Sequence, residues 1–122
     1  NVRPTYKELN RKIRQATLAV TEGRIRIIRP DVIADDALEL GYLLKELADV
    51  LTEILDEITP EHYMGRRPPE RSYEEDVRGL ELLVFEMFSR RFSSNIYFKF
   101  VLKDGEIWLV SLHQSRKPGR LT

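Results

Sequence analysis

The segment "IYFKFVLKDGEIWLVSLHQSR" (residues 96–116) decides the fold. Apolar and polar residues alternate on both sides of Asp104-Gly105, the pattern of two half-buried strands. That dipeptide supplies the two positive-φ positions of a type I′ turn. A two-residue loop there sets Lys103 opposite Glu106, Leu102 opposite Ile107, Val101 opposite Trp108, Phe100 opposite Leu109, Lys99 opposite Val110, Phe98 opposite Ser111 and Tyr97 opposite Leu112. In a regular ladder one face carries Ile96, Phe98, Phe100, Leu102, Ile107 and Leu109, with Ser111 and His113 at its far end. This face is expected to pack on the core. Tyr97, Lys99, Val101, Lys103, Glu106, Trp108, Val110 and Leu112 fall on a partly open face. Tyr97 and His113 are therefore predicted on opposite faces, and only a bulge or a strong end-of-strand twist would bring them together.

Upstream of the hairpin, "GLELLVFEMF" (79–88) reads as a strand buried on both faces, followed by a polar connection over 89–95. Residues 59–78 form a long loop with adjacent prolines, a kind of connection that often carries function. The N-terminal half is helical. Thr5 and Glu8 have capping-box spacing, and Tyr6, Leu9, Ile13, Ala16 and Val20 form one stripe until Gly23 ends the helix. "RIRII" (24–28) reads as a short strand or extended arm with Arg24 and Arg26 outward. Gly41 then divides a short helix over 33–40 from a longer one over about 43–58, whose buried stripe is Leu44, Leu47, Leu51, Ile54 and Ile58. The predicted architecture is α+β, a single domain over 1–122. Helices over about 5–58 pack on an antiparallel sheet of three or four strands over about 79–114, and a basic tail follows at 115–122.

The overall composition, 42% hydrophobic and 33% charged, is that of an ordinary globular chain rather than a disordered one. No apolar run is long enough for a membrane span, so no membrane partner is expected. The basic, polar N-terminal stretch lacks the apolar core of a secretory signal. There are no cysteines, which excludes disulfides and thiolate metal sites and fits a cytoplasmic location. The net charge of zero conceals segregation: residues 1–30 hold eight basic and two acidic side chains, and residues 31–62 hold one and ten. A helix-turn-helix reading around Gly41 fails on charge. Its recognition helix would offer a phosphate backbone only Lys45 against Glu46, Asp49, Glu53, Asp56 and Glu57, so no DNA binding is expected.

The two histidines, His62 and His113, have no metal-ligand spacing, so neither metal nor other cofactor is expected. A glycine-rich phosphate loop and a nucleophile elbow are both missing. The C-terminal half does concentrate Tyr63, Arg66, Arg67, Arg90, Arg91, Tyr97, Lys99, His113 and Arg116. Such a set suits metal-free RNA cleavage, in which the substrate's own 2′-hydroxyl attacks the phosphate. The protein then supplies a base, an acid for the leaving 5′-oxygen, and cations for the phosphate. Each residue also has a structural reading. Tyr97 can be a half-buried strand aromatic, His113 a strand-end residue, and Lys99 an edge-strand gatekeeper.

The stretch "ALELGYLLKELADVLTEILDEITPEHYMG" (37–65), followed by the hairpin, resembles the motility-quorum-sensing-regulator (MqsR) toxins, mRNA interferases of the RelE-like fold group that are partnered by antitoxins. The resemblance covers roughly residues 10–116 and is carried by Gly23–Ile28, Ala37–Gly41, Ile58–Tyr63, Tyr97–Lys99 and Val110–His113. It implies a cytoplasmic endoribonuclease acting on single-stranded mRNA and held by a cognate antitoxin. Tyr97 matches the family's catalytic strand tyrosine, and His113 falls where the family places a basic residue. With Lys99 they make the expected catalytic set, while Arg66, Arg67, Arg90, Arg91 and Arg116 are expected to hold RNA. The polar residue of the family's preceding strand has no counterpart in Leu82–Phe85, which is wholly apolar. A non-catalytic protein-interaction module of the same fold is the alternative.

Overall fold

A computed structural model describes residues 5–65, 71–72 and 74–115. Helix α1 (Tyr6–Thr21) starts at the expected capping box, where the Glu8 amide donates to Thr5 Oγ1 at 3.1 Å and the Thr5 amide donates to the Glu8 carboxylate at 3.0 Å. Strand β1 (Ile25–Ile27) leads into α2 (Pro30–Leu40). This helix begins earlier than predicted because Pro30 fits its first turn, where no amide hydrogen is needed. Gly41, at φ 92°, ends it in the left-handed conformation. The predicted helix over 43–58 divides into a 3₁₀ turn (Leu44–Glu46) and α3 (Leu47–Glu57).

Strands β2 (Leu83–Ser89), β3 (Ser94–Lys103) and β4 (Glu106–Gln114) form the antiparallel meander that the alternation predicts. The fourth strand makes the sheet mixed. β1 joins β4 in parallel, Ile25 beside Ile107 and Ile27 beside Leu109, in the order β1-β4-β3-β2. Helices thus occupy the N-terminal half and the meander the C-terminal half of an α+β fold. Leu9, Ile13, Ala16 and Val20 of α1 and Leu47, Leu51 and Ile54 of α3 pack against one sheet face, on Phe85, Ile96, Phe98, Phe100 and Leu109. The opposite face carries a smaller cluster, Val77, Leu82, Val84 and Val101, flanked by Tyr97, Trp108 and Val110. Among the described residues no helix is long and apolar enough to cross a membrane.

The hairpin corrects the predicted register at one point. Asp104 and Gly105 have φ of 54° and 76°, the type I′ turn, and the predicted pairing holds from Lys103↔Glu106 to Phe100↔Leu109. The next pair is Lys99↔Ser111, so Val110 is an extra residue on β4, a β-bulge. Beyond it every β4 side chain changes face: Phe98 meets Leu112 and Tyr97 meets His113. Leu112, predicted outward, is wholly buried in the main core. Energetics explain the shift. A regular ladder would leave Leu112 in water, forgoing roughly 1.5–3 kcal/mol of burial. It would also push Ser111 and His113 into an apolar layer, where each unpaired polar group costs about 1–3 kcal/mol. A bulge removes one ladder step and avoids both penalties. Deleting Val110 should therefore leave Leu109, Ser111, Leu112 and His113 in regular alternation with the same partners, keeping Leu112 buried and the urea midpoint lowered by no more than Val110's own partial burial; a loss of about 3 kcal/mol or more, the size of the penalties above, would refute this account of the register.

Tyr42, just past Gly41, is buried and rests its ring on Phe92 with centroids 5.7 Å apart. Burial, reinforced by the Asp36 carboxylate and opposed by Arg91, pushes its phenol up from 10.0 to about 12. The native state then holds this proton more tightly than the unfolded chain does. Tyr42 contributes full stability below pH 10.0 that is lost as pH rises toward about 12. Tyr42→Phe should accordingly flatten the fall in unfolding free energy across that alkaline window, and a slope equal to wild type would rule out this linkage.

Candidate functional site

The open sheet face derives its chemistry from the Val110 bulge. Register sets Glu86 of β2 beside Tyr97 of β3, and Tyr97 beside His113 of β4, as one cross-strand row. The Tyr97 and His113 rings stand 5.5 Å apart between centroids. One step along the strands, Lys99 pairs with Ser111, and its ammonium lies 5.3 Å from the centre of the Tyr97 ring. The three residues predicted as the catalytic set, Tyr97, His113 and Lys99, therefore share a face, all partly accessible. The expected separation of Tyr97 from His113 is overturned by the single extra residue.

Local hydrogen bonds orient the row. His113 Nδ1 lies 2.8 Å from the Gln114 carbonyl oxygen. A carbonyl only accepts, so Nδ1 carries the hydrogen, and Nε2 is the acceptor nitrogen of the neutral ring. Glu86 accepts a hydrogen bond from the Ser115 hydroxyl, and the Ser115 amide donates to the Asn95 carbonyl at 2.8 Å. Those contacts fasten the end of β4 across β3 to β2.

Beside Lys99 and Ser111 opens a cleft of about 630 Å³, lined also by Arg29 at the start of α2 and by Arg71, Ser72 and Glu74. Arg71 donates to the Gly79 carbonyl at 3.3 Å. Lys99, Arg29 and Arg71 give this cleft three cations suited to phosphate, against the single carboxylate of Glu74. On the far side of the row, a second cleft of about 350 Å³ lies among Glu61, His62, Met64, Glu86, Phe88 and Asn95. Among the described residues no cluster of three or more His, Asp or Glu side chains is placed to hold a metal ion.

Of the cations predicted to hold RNA, the two among the described residues do not gather here. Arg90 and Arg91 sit in the β2–β3 turn and face α3, where Arg90 Nε donates to Glu57 at 2.7 Å and Arg91 Nη1 to Glu53 at 3.1 Å. Glu57 holds the Arg90 guanidinium firmly in its charged form by that hydrogen bond and by its charge. Arg66, Arg67 and Arg116 lie outside the described residues. Arg29 and Arg71 stand in the cleft instead, brought there from separate segments with no local sequence signal to mark them. Glu86 was legible in principle. It lies just past the apolar Leu82–Phe85 run, in the open-face phase set by Val84, and it is the polar side chain beside Tyr97 on the preceding strand.

No protein-family model matches the chain, and no curated protein matches it. The hydrogen bond to Gln114 makes a spectroscopic prediction: in the neutral ring, multiple-bond proton–nitrogen NMR should show His113 with a protonated Nδ1 and an unprotonated Nε2. The reverse pattern would mean that the ring is turned and presents the other nitrogen.

Proposed function

We propose that the chain is a metal-independent endoribonuclease, an mRNA interferase of the toxin–antitoxin type. The observation that carries this reading is the bulge that sets Tyr97 and His113 side by side, 5.5 Å between ring centres, next to Lys99. Neutral His113 offers Nε2 to take the proton of a 2′-hydroxyl, whose oxygen then attacks the adjacent phosphorus. The P–O5′ bond breaks, and the Tyr97 hydroxyl donates a proton to the departing 5′-oxygen. The products are a 2′,3′-cyclic phosphate and a 5′-hydroxyl, and solvent returns His113 and Tyr97 to their starting protonation. The Lys99 ammonium, 5.3 Å from the Tyr97 ring centre, offsets the charge that accumulates on the phosphate.

Arg29 and Arg71 replace Arg90 and Arg91 as the natural holders of the RNA backbone, since the latter two are engaged with carboxylates of α3. α3 packs on the other face of the sheet, which keeps its acidic surface away from a substrate on the row. Regulation by a protein antitoxin and a cytoplasmic site of action follow from the resemblance to the MqsR toxins.

End-labelled single-stranded RNA incubated with the purified chain in excess EDTA is expected to be cut to cyclic-phosphate or 3′-phosphate ends. Tyr97→Phe and His113→Ala should each slow cutting by about a hundredfold or more. Intact RNA with folded, partner-free wild type would sink the enzyme reading and favour a docking module.

A further inference from the structure

Phe88 leaves 58% of its surface exposed and Met64 leaves 49%, although both lie beside a well-packed sheet. Alternation puts Val84, Glu86 and Phe88 on the open face of β2, and register sets Phe88 opposite Asn95. Phe88 and Asn95 thus form the next cross-strand pair on the open face after Glu86–Tyr97. An aromatic ring, a thioether and a carboxamide meet at the cleft of about 350 Å³, whose rim carries the Glu61 and Glu86 carboxylates and His62.

We infer that this cleft is a nucleobase subsite, in which one unpaired base of the RNA stacks on Phe88 and is read at its edge by Asn95. The inference takes its substrate class from the ribonuclease reading. Its own support is the contrast between the two sides of the row. On one side Lys99, Arg29 and Arg71 favour phosphate. On the other, the exposed Glu61 carboxylate disfavours phosphate and offers an acceptor to the amino and imino hydrogens of a base. An exposed ring accepts any base face, as in single-strand binders, whereas an amide that both donates and accepts can discriminate among base edges. Same-face neighbours along a strand stand about 6.6 Å apart, so a phosphate over Tyr97 and His113 leaves an adjoining unstacked base within reach of Phe88. A volume of about 350 Å³ accommodates one heterocycle.

The test uses the full chain and short single-stranded RNAs, each with one 2-aminopurine and a 2′-deoxy sugar at the cut position to block turnover. One labelled position should lose fluorescence on binding. Phe88→Ala should abolish that quenching and weaken binding about tenfold, while Phe88→Trp restores both. Asn95→Ala should alter which base is preferred there with less effect on affinity. Phe88 is exposed, so Phe88→Ala should keep the wild-type urea midpoint, which checks folding. In cleavable RNA, an abasic site at the quenched position should slow wild-type cutting about tenfold and leave Phe88→Ala little further changed.

Cleavage by wild type with no quenched position, or with Phe88→Ala binding like wild type, would overturn the subsite and leave the ribonuclease reading intact. Position-specific quenching that depends on Phe88, without any cleavage of normal RNA, would support the subsite and remove the ribonuclease reading instead.

Discussion

Burial of Leu112 against Phe98 is the constraint on which the rest of the sheet's chemistry depends. Ile107, Leu109 and Leu112 are spaced by two and then by three, a sequence that no regular strand can bury on one face. The core accepts all three only if β4 gains a residue, and Val110 is that residue. Its cost is one lost step in the ladder. Its consequence is that Ser111 and His113 turn outward together, joining Lys99 and Tyr97 on the side the helices do not cover. A packing requirement on one face thereby assembles the polar groups of the other, and a bulge near a site is a common place to find such a re-aimed side chain.

The two faces divide the molecule's charges as well. On the helical side, Glu53 and Glu57 hold Arg91 and Arg90, so the acidic surface of α3 is partly balanced by the β2–β3 turn. Such exposed pairs add little stability, but they fix where the arginines point. On the open side, Arg26 and Lys103 lie 5.7 and 5.1 Å from the centre of the Trp108 ring. Cation–aromatic contact and a bond from Lys103 to the Asp76 carbonyl at 2.5 Å tie the hairpin to the segment that covers part of this face. Among the described residues this segment leaves the row Glu86–Tyr97–His113 partly accessible, with the two clefts beside it.

Much of this was determined by the sequence alone. The capping box of α1, the stop at Gly41, the type I′ turn at Asp104-Gly105 and the antiparallel meander all arise from local rules, because caps and turns depend on few adjacent residues. Tyr97, Lys99 and His113 were also recognisable as candidate chemistry from their types and places in the hairpin. The tertiary structure decided whether they meet, since the bulge follows from competition between faces for burial, a quantity no single strand contains. It also decided that β1 pairs in parallel with β4, that Arg90 and Arg91 face α3, and that Arg29 and Arg71 converge on one cleft. Convergence of residues so far apart along the chain is set by packing of the whole domain, which is why local pattern could name the reactive groups but not assemble them.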